Sequence, residues 1–401
     1  MNKLYSNFAK ADKFLEGNVS IYLDLIRGIS AILVVMEHLS SRLFVGYGNV
    51  ENPNLLVQGL YLLNILGGPS VIIFFVLSGL FISRSVLKAV LQSKWTWESY
   101  LINRLSRLLV VLIPALILTF ILDSIAMNLF NYQGYETLFE NSIEFVGNLF
   151  FLQNIFVGVY GSNAPLWSLS YEFWYYMLFP LIFLLFTKQK IILKVFYLML
   201  AVLIISTIGT RMNSYFVIWL IGVAVLFFPR VSMNNRKLIL ISSLFLLLVS
   251  ITVRPLVMTG RLFTNGWTED LFFADLFVGL SFGLFIYTLV YVMPNKLKRI
   301  ELKRFGKFSR ILASFSFSLY LIHYPIINTV YGWGAMKGYN GLQPSIVSFG
   351  IELVLVTILC IIAYYFSRFT EAKTSNIRKF VISLSLGLRK KVEIRKGNIA
   401  G

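Results

Sequence analysis

Residues Tyr22–His38 read YLDLIRGISAILVVMEH. The stretch has the length and apolarity of a membrane-spanning helix, yet it holds Asp24, Arg27, Glu37 and His38. Ionisable groups inside a bilayer are costly and usually face a bundle interior or a polar path. At about 100° and 1.5 Å per residue, Arg27 and His38 fall about 20° apart around a helix and about 16 Å apart along it. One face therefore carries a cation toward one end and a titratable imidazole toward the other. The structural alternative is a snorkelling Arg27 with His38 hydrogen-bonded in the bundle.

Around that stretch the chain has 401 residues, 57% hydrophobic and 13% charged. Soluble domains average about 25% charged, so the composition is that of a polytopic membrane protein. The net charge of +18 lies in alternating loops, which is a topology signal and not a nucleic-acid surface. The single Cys360 excludes an intramolecular disulfide and a cysteine metal cluster. The first 20 residues lack the apolar core and cleavage site of a signal peptide, so the first span is expected to be retained.

A span needs about 20 mainly apolar residues. Ten are expected, at 22–40, 61–83, 105–123, 166–187, 191–209, 214–229, 238–253, 271–293, 312–331 and 346–367. The fold class is all-α, a helix bundle with both termini cytoplasmic. Segment 143–157 is apolar but short and reads as re-entrant or interfacial. With the N-terminus inside, 30 of the 36 Lys and Arg residues fall in inner segments and five (Arg42, Arg211, Arg254, Arg261, Lys337) in outer loops. The expected organisation is a cytoplasmic arm (1–20), a membrane domain (21–368) and a basic cytoplasmic tail (369–401) against anionic lipid headgroups.

This topology assigns depths. Arg27, Ser78, Arg84, Arg104 and Arg107 belong to the inner half. His38, Glu172, Asp275 and Glu352 belong to the outer half, with His323 near mid-membrane. Inner cations suit a phosphorylated ligand; imidazoles with nearby carboxylates suit proton transfer. The positive-inside rule alone accounts for most of the cations, but not for Arg27. His38 and His323 are the chain's two histidines, and both fall in spans. Adjacent Glu37 points about 100° away from His38. No His/acid pair at helical spacing supports a zinc site. Trp167–Tyr176 reads as a helix start or an interfacial aromatic belt, and Cys360 as an inert buried thiol.

Five stretches in order resemble acyltransferase family 3, polytopic membrane acyltransferases that include bacterial polysaccharide O-acetyltransferases. They are LDLIRGISAILVVMEH, with an Arg-x10-His pattern, GGPSVIIFFVLSGLFIS, YLINRLSRLLVVLIP, LWSLSYEFWYYMLFPL and FSLYLIHYPI. The resemblance covers about residues 20–370. It implies transfer of an acyl group, usually acetyl, from cytoplasmic acyl-CoA to a hydroxyl of a glycan or lipid-linked sugar (O-antigen, capsule or exopolysaccharide) at the outer face of a bacterial inner membrane. It implies a catalytic role for His38 and a coenzyme-facing role for Arg27. Arg104 and Arg107 match the family's basic pair, Glu172 its acid after Trp-Ser, and Tyr320 and His323 its late motif. Glu37 is not part of that pattern.

The expected mechanism is direct transfer, with His38 as general base, Glu172 or Glu37 as its orienter, and the coenzyme held by Arg27, Arg84, Arg104, Arg107, Ser78 and Tyr320. An acyl-histidine intermediate is the alternative route. A transporter or flippase of lipid-linked sugars, without bond making, is the alternative function.

Overall fold

The computed structural model describes residues 2–130, 138–228, 235–258, 267–291 and 299–385. They form helices α1 (Asn2–Leu15), α2 (Val19–Leu43), α3 (Leu55–Asn64), α4 (Gly67–Leu91), α5 (Trp97–Phe130), α6 (Leu138–Leu149), α7 (Trp167–Leu185), α8 (Ile191–Thr207), α9 (Gly209–Phe227), α10 (Arg236–Met258), α11 (Trp267–Tyr291), α12 (Arg299–Met336) and α13 (Ile346–Phe369), with no strand among the described residues. Nine helical stretches among them are long and apolar enough to cross a membrane. The fifth expected span is α8, whose 17 residues sit at the short end of what a crossing needs. α6 is 12 residues and too short to cross; an irregular segment follows it.

The expected span 61–83 is displaced. The helix breaks at 65–66 and restarts as α4. Pro69 lacks a backbone N–H, which an interior helical position needs and a first turn does not. The N-terminal arm is α1, and it is not a free extension: Phe8, Ala11 and Leu15 are buried in the core, and Asn7 Nδ2 donates to the Phe227 carbonyl at 3.2 Å. Residues 374–385 continue as helix. The remainder of the expected tail lies outside the described residues.

α2 packs along α12. Arg27 meets Ala313 at 3.3 Å and His38 meets His323 at 2.8 Å, so the two helices run in the same direction. The expected stripe is thus a seam against one partner helix. At Gly28 a Cβ would stand 2.5 Å from Leu312 Cβ, so a bare Cα is what admits this approach. α4 and α9 cross closer still. A Cβ on Gly79 would lie 2.0 Å from the Trp219 carbonyl oxygen, and one on Gly222 2.0 Å from that of Val76. Small residues at such crossings let membrane helices touch backbone to backbone.

Interior prolines leave carbonyls without their helical donors, and at two of them another element answers. Pro180 in α7 frees the Tyr176 carbonyl, which accepts from Tyr100 Oη at 2.8 Å. Pro325 in α12 frees the Leu321 carbonyl, which accepts from Asn163 Nδ2 at 2.9 Å. In an apolar environment every such group needs a partner, so each proline fastens its helix to a neighbouring element. The segment around 150–163 is itself fixed from α7. Phe151 adopts a left-handed φ of 60°, and its carbonyl accepts from Ser170 Oγ at 2.8 Å and Trp174 Nε1 at 2.9 Å.

Candidate active site

His38 Nδ1 lies 2.8 Å from His323 Nε2, and His323 Nδ1 lies 2.9 Å from the Leu319 carbonyl oxygen. A carbonyl only accepts, so His323 Nδ1 carries the hydrogen. In the neutral ring His323 Nε2 is then the acceptor, and His38 Nδ1 must donate to it. The lone pair of neutral His38 is left on Nε2. One backbone carbonyl thereby sets the tautomers of two imidazoles in series, the arrangement a general base requires. His323 is fully buried. The two ring planes lie 12° apart, and Tyr324 packs edge-on against His38 at 4.8 Å between centroids.

Toward the Arg27 end a cavity of about 110 Å³ brings together Arg27, Ser78, Arg104, Arg107, Glu172 and Tyr320. Six of the sequence-predicted site residues thus share one space. Ser78 accepts from Trp219 Nε1 at 3.1 Å and donates to Glu172 Oε1 at 3.1 Å. Tyr176 Oη donates to the same carboxylate oxygen. Arg27 Nη2 donates to Asp24 Oδ1 and to the Ala313 carbonyl, each at 3.3 Å. Arg104 Nη2 donates to Ser85 Oγ at 2.7 Å. The Nε atoms of Arg27 and Arg104 are buried with no protein partner. Buried donors are rarely left unsatisfied, so this cavity suits a ligand with acceptor atoms.

Tyr320 joins the two parts. It lines the cavity, its hydroxyl is 2.7 Å from Ser168 Oγ, and its ring centroid is 6.1 Å from that of His323. The cavity therefore ends one aromatic ring short of the imidazole pair.

Two predicted residues lie elsewhere. Arg84 does not line the cavity. Its Nε is 2.6 Å from Asp12 Oδ1 and its Nη2 3.4 Å from Glu16 Oε1, in and just past the last turn of α1. Glu37 does not meet His38; its Oε2 accepts from Gly68 N at 2.7 Å, where a carboxylate satisfies a free N–H of the α4 N-terminus. Nor does Glu172 bond His38. The side chain that bonds His38 is His323, because α12, not α7, faces that ring. Arg254, expected in an outer loop, sits within α10, and its Nε is 2.5 Å from Asp275 Oδ1.

Sequence reasoning missed Asn163, Ser168, Tyr176 and Trp219. Tyr176 and Ser168 lie in the aromatic stretch that also reads as an interfacial belt. Pro325, two residues past His323, was the available sign that a carbonyl near the ring needs a donor from another element.

No solved structure matches this chain. A protein of Haemophilus influenzae described as an uncharacterized protein is 29% identical over 150 residues, 35% of this chain and 60% of that protein. The chain therefore spans less than two thirds of that relative's length. The family model described as an acyltransferase domain matches residues 20–365, a range that contains both histidines and every cavity residue above; the chain belongs to the acyltransferase 3 family.

Proposed function

We propose that the protein is a multi-pass membrane O-acyltransferase. It moves an acetyl or other short acyl group from cytoplasmic acyl-CoA to a hydroxyl of a cell-surface glycan or lipid-linked sugar. It sits in a bacterial cytoplasmic membrane with the Arg27 end inward. The loop charge bias supports that orientation. The observation that carries the reading is the His38–His323 pair, whose tautomers leave a lone pair on His38 Nε2, one aromatic ring away from a cavity lined by Arg27, Arg104 and Arg107. The buried, unpartnered Arg Nε donors fit the acceptor oxygens that acyl-CoA carries on its phosphates and on its arm's amide carbonyls.

In this reading the arginines hold the coenzyme at the inner mouth and leave its thioester arm directed along the α2–α12 seam. The separation of about 16 Å between Arg27 and His38 along α2 suits an extended pantetheine. His38 Nε2 takes the proton of the acceptor hydroxyl as its oxygen attacks the thioester carbonyl. The C–S bond then breaks, and His38 returns the proton to the departing thiolate. The imidazolium formed in between keeps its Nδ1–H bonded to neutral His323, whose Nδ1–H stays on Leu319. Charge-assisted hydrogen bonds of this kind are the stronger ones.

His38→Ala membranes supplied with labelled acetyl-CoA and the host's glycan acceptor are expected to lose transfer by at least about 100-fold, the lower range for a general base. Turnover near the wild-type level would remove both the direct and the acyl-histidine routes. Sugar translocation without dependence on acyl-CoA would favour a transporter.

A further inference from the structure

Beside the first cavity lies a second, polar one of about 360 Å³ that shares Arg104 and Arg107 with it. Lys94 and Arg378 also line it, so four cations surround one space whose lining holds no Asp or Glu. Glu371 lies within electrostatic reach of Arg107 but bonds to Ser318 instead. Like charges around a small volume repel, and an anion in their midst relieves the repulsion. Trp95 adds a buried Nε1–H with no partner, as does Arg104 with its Nε. The Trp95 ring lies 5.0 Å from that of Tyr100, which gives the cavity an aromatic wall.

Arg378 comes from outside the family-matched range, on the helical segment 374–385. Asn103 Oδ1 accepts from its Nη1 at 3.0 Å, which aims the guanidinium while leaving its other donors available. Thr374 of the same segment lines the cavity too. A segment expected to lie on lipid headgroups supplies one wall of this cavity.

We infer that this second cavity binds the phosphorylated nucleotide end of the acyl donor, with Arg378 and Lys94 as specificity-determining phosphate ligands. The inference rests on the acyl-CoA reading above and extends it. The first cavity takes the thioester arm, the second the adenosine phosphates, and Arg104 and Arg107 stand at their junction. A phosphate of an anionic lipid offers the same chemistry. The residues it shares with the cavity that ends at Tyr320 favour the nucleotide.

The test uses the purified full-length protein in nanodiscs. Binding of CoA, 3′-dephospho-CoA and adenosine 3′,5′-diphosphate is measured by calorimetry for wild type, Arg378→Gln, Lys94→Gln and the neighbouring surface control Lys373→Gln. Arg378→Gln and Lys94→Gln are each expected to weaken CoA and adenosine 3′,5′-diphosphate at least ten-fold. The preference of transfer for acetyl-CoA over S-acetylpantetheine should fall by a similar factor, and Lys373→Gln should match wild type. Wild type that binds no CoA overturns the proposed function itself. Wild type that binds CoA while both variants bind it equally well overturns only this inference. So does displacement of the nucleotide by raising phosphatidylglycerol in the disc, with no displacement by added adenosine 3′,5′-diphosphate.

Discussion

Replacing His323 by Leu removes the acceptor for His38 Nδ1–H while keeping a buried apolar side chain of similar reach. The 2.8 Å contact between the rings then has no polar partner, and the Leu319 carbonyl loses the ring donor at 2.9 Å. During transfer the lost bond is one to an imidazolium, and a hydrogen bond to a charged group contributes about 1.5–3 kcal/mol. At about 1.36 kcal/mol per decade of rate, kcat should fall about 10- to 150-fold. KM for acetyl-CoA should stay unchanged, because the arginine-lined cavity is a separate set of side chains. His323→Gln retains an acceptor where Nε2 stood and should recover part of the loss. The assay is single-turnover transfer of labelled acetyl in proteoliposomes, with thermal unfolding followed in parallel. If His323→Leu keeps the wild-type kcat, or loses rate only in proportion to lost folded protein, the imidazole series is structural and the tautomer reasoning fails.

Gly222→Ala places a methyl 2.0 Å from the Val76 carbonyl oxygen and 2.7 Å from Leu80 N. Both are backbone atoms, so α4 and α9 must part. The expected cost is about 1–3 kcal/mol, read as a lower unfolding temperature in detergent. The Trp219–Ser78 bond should break with it; an unchanged unfolding temperature would contradict the close crossing. Glu352 is fully buried in α13. Its Oε2 accepts from Asn64 Nδ2 at 3.2 Å, while its Oε1 and the Asn64 Oδ1 have no partner. Glu352→Gln removes a buried charge with no ion pair among the described residues and adds a donor for Asn64. It should stabilise by about 1 kcal/mol, and a destabilised variant would show that the carboxylate has a partner after all.

Periodicity carried much of this molecule. The eleven-residue spacing in α2 put Arg27 and His38 on one face, and that face is the one α12 covers at Ala313 and His323. Hydropathy located the bundle because a span is a local property of about 20 residues. What local pattern does not encode is which helix lies opposite. His38 and His323 are 285 residues apart in sequence, and only the tertiary register makes them bond. The same limit misplaced Arg84, since nothing in α4 announces that Asp12 and Glu16 will reach it. Arg254 was assigned to a loop by charge, whereas α10 continues through it because Asp275 supplies a partner. From sequence the arm and the segment after α13 read as a cytoplasmic extension and a basic tail on lipid headgroups. The first buries Phe8, Ala11 and Leu15 in the core, and the second supplies Arg378 to a cavity wall.

Asn163 answers a carbonyl that Pro325 leaves open, two residues before the imidazole at 323. The length of α12 that carries this ring is therefore moored to the irregular segment before α7, where Asn163 donates to Leu321 at 2.9 Å and Ser162 accepts from Asn328 at 3.5 Å, and not only to its own coil. A displacement of Asn163 would reach the turn that holds the ring through one hydrogen bond.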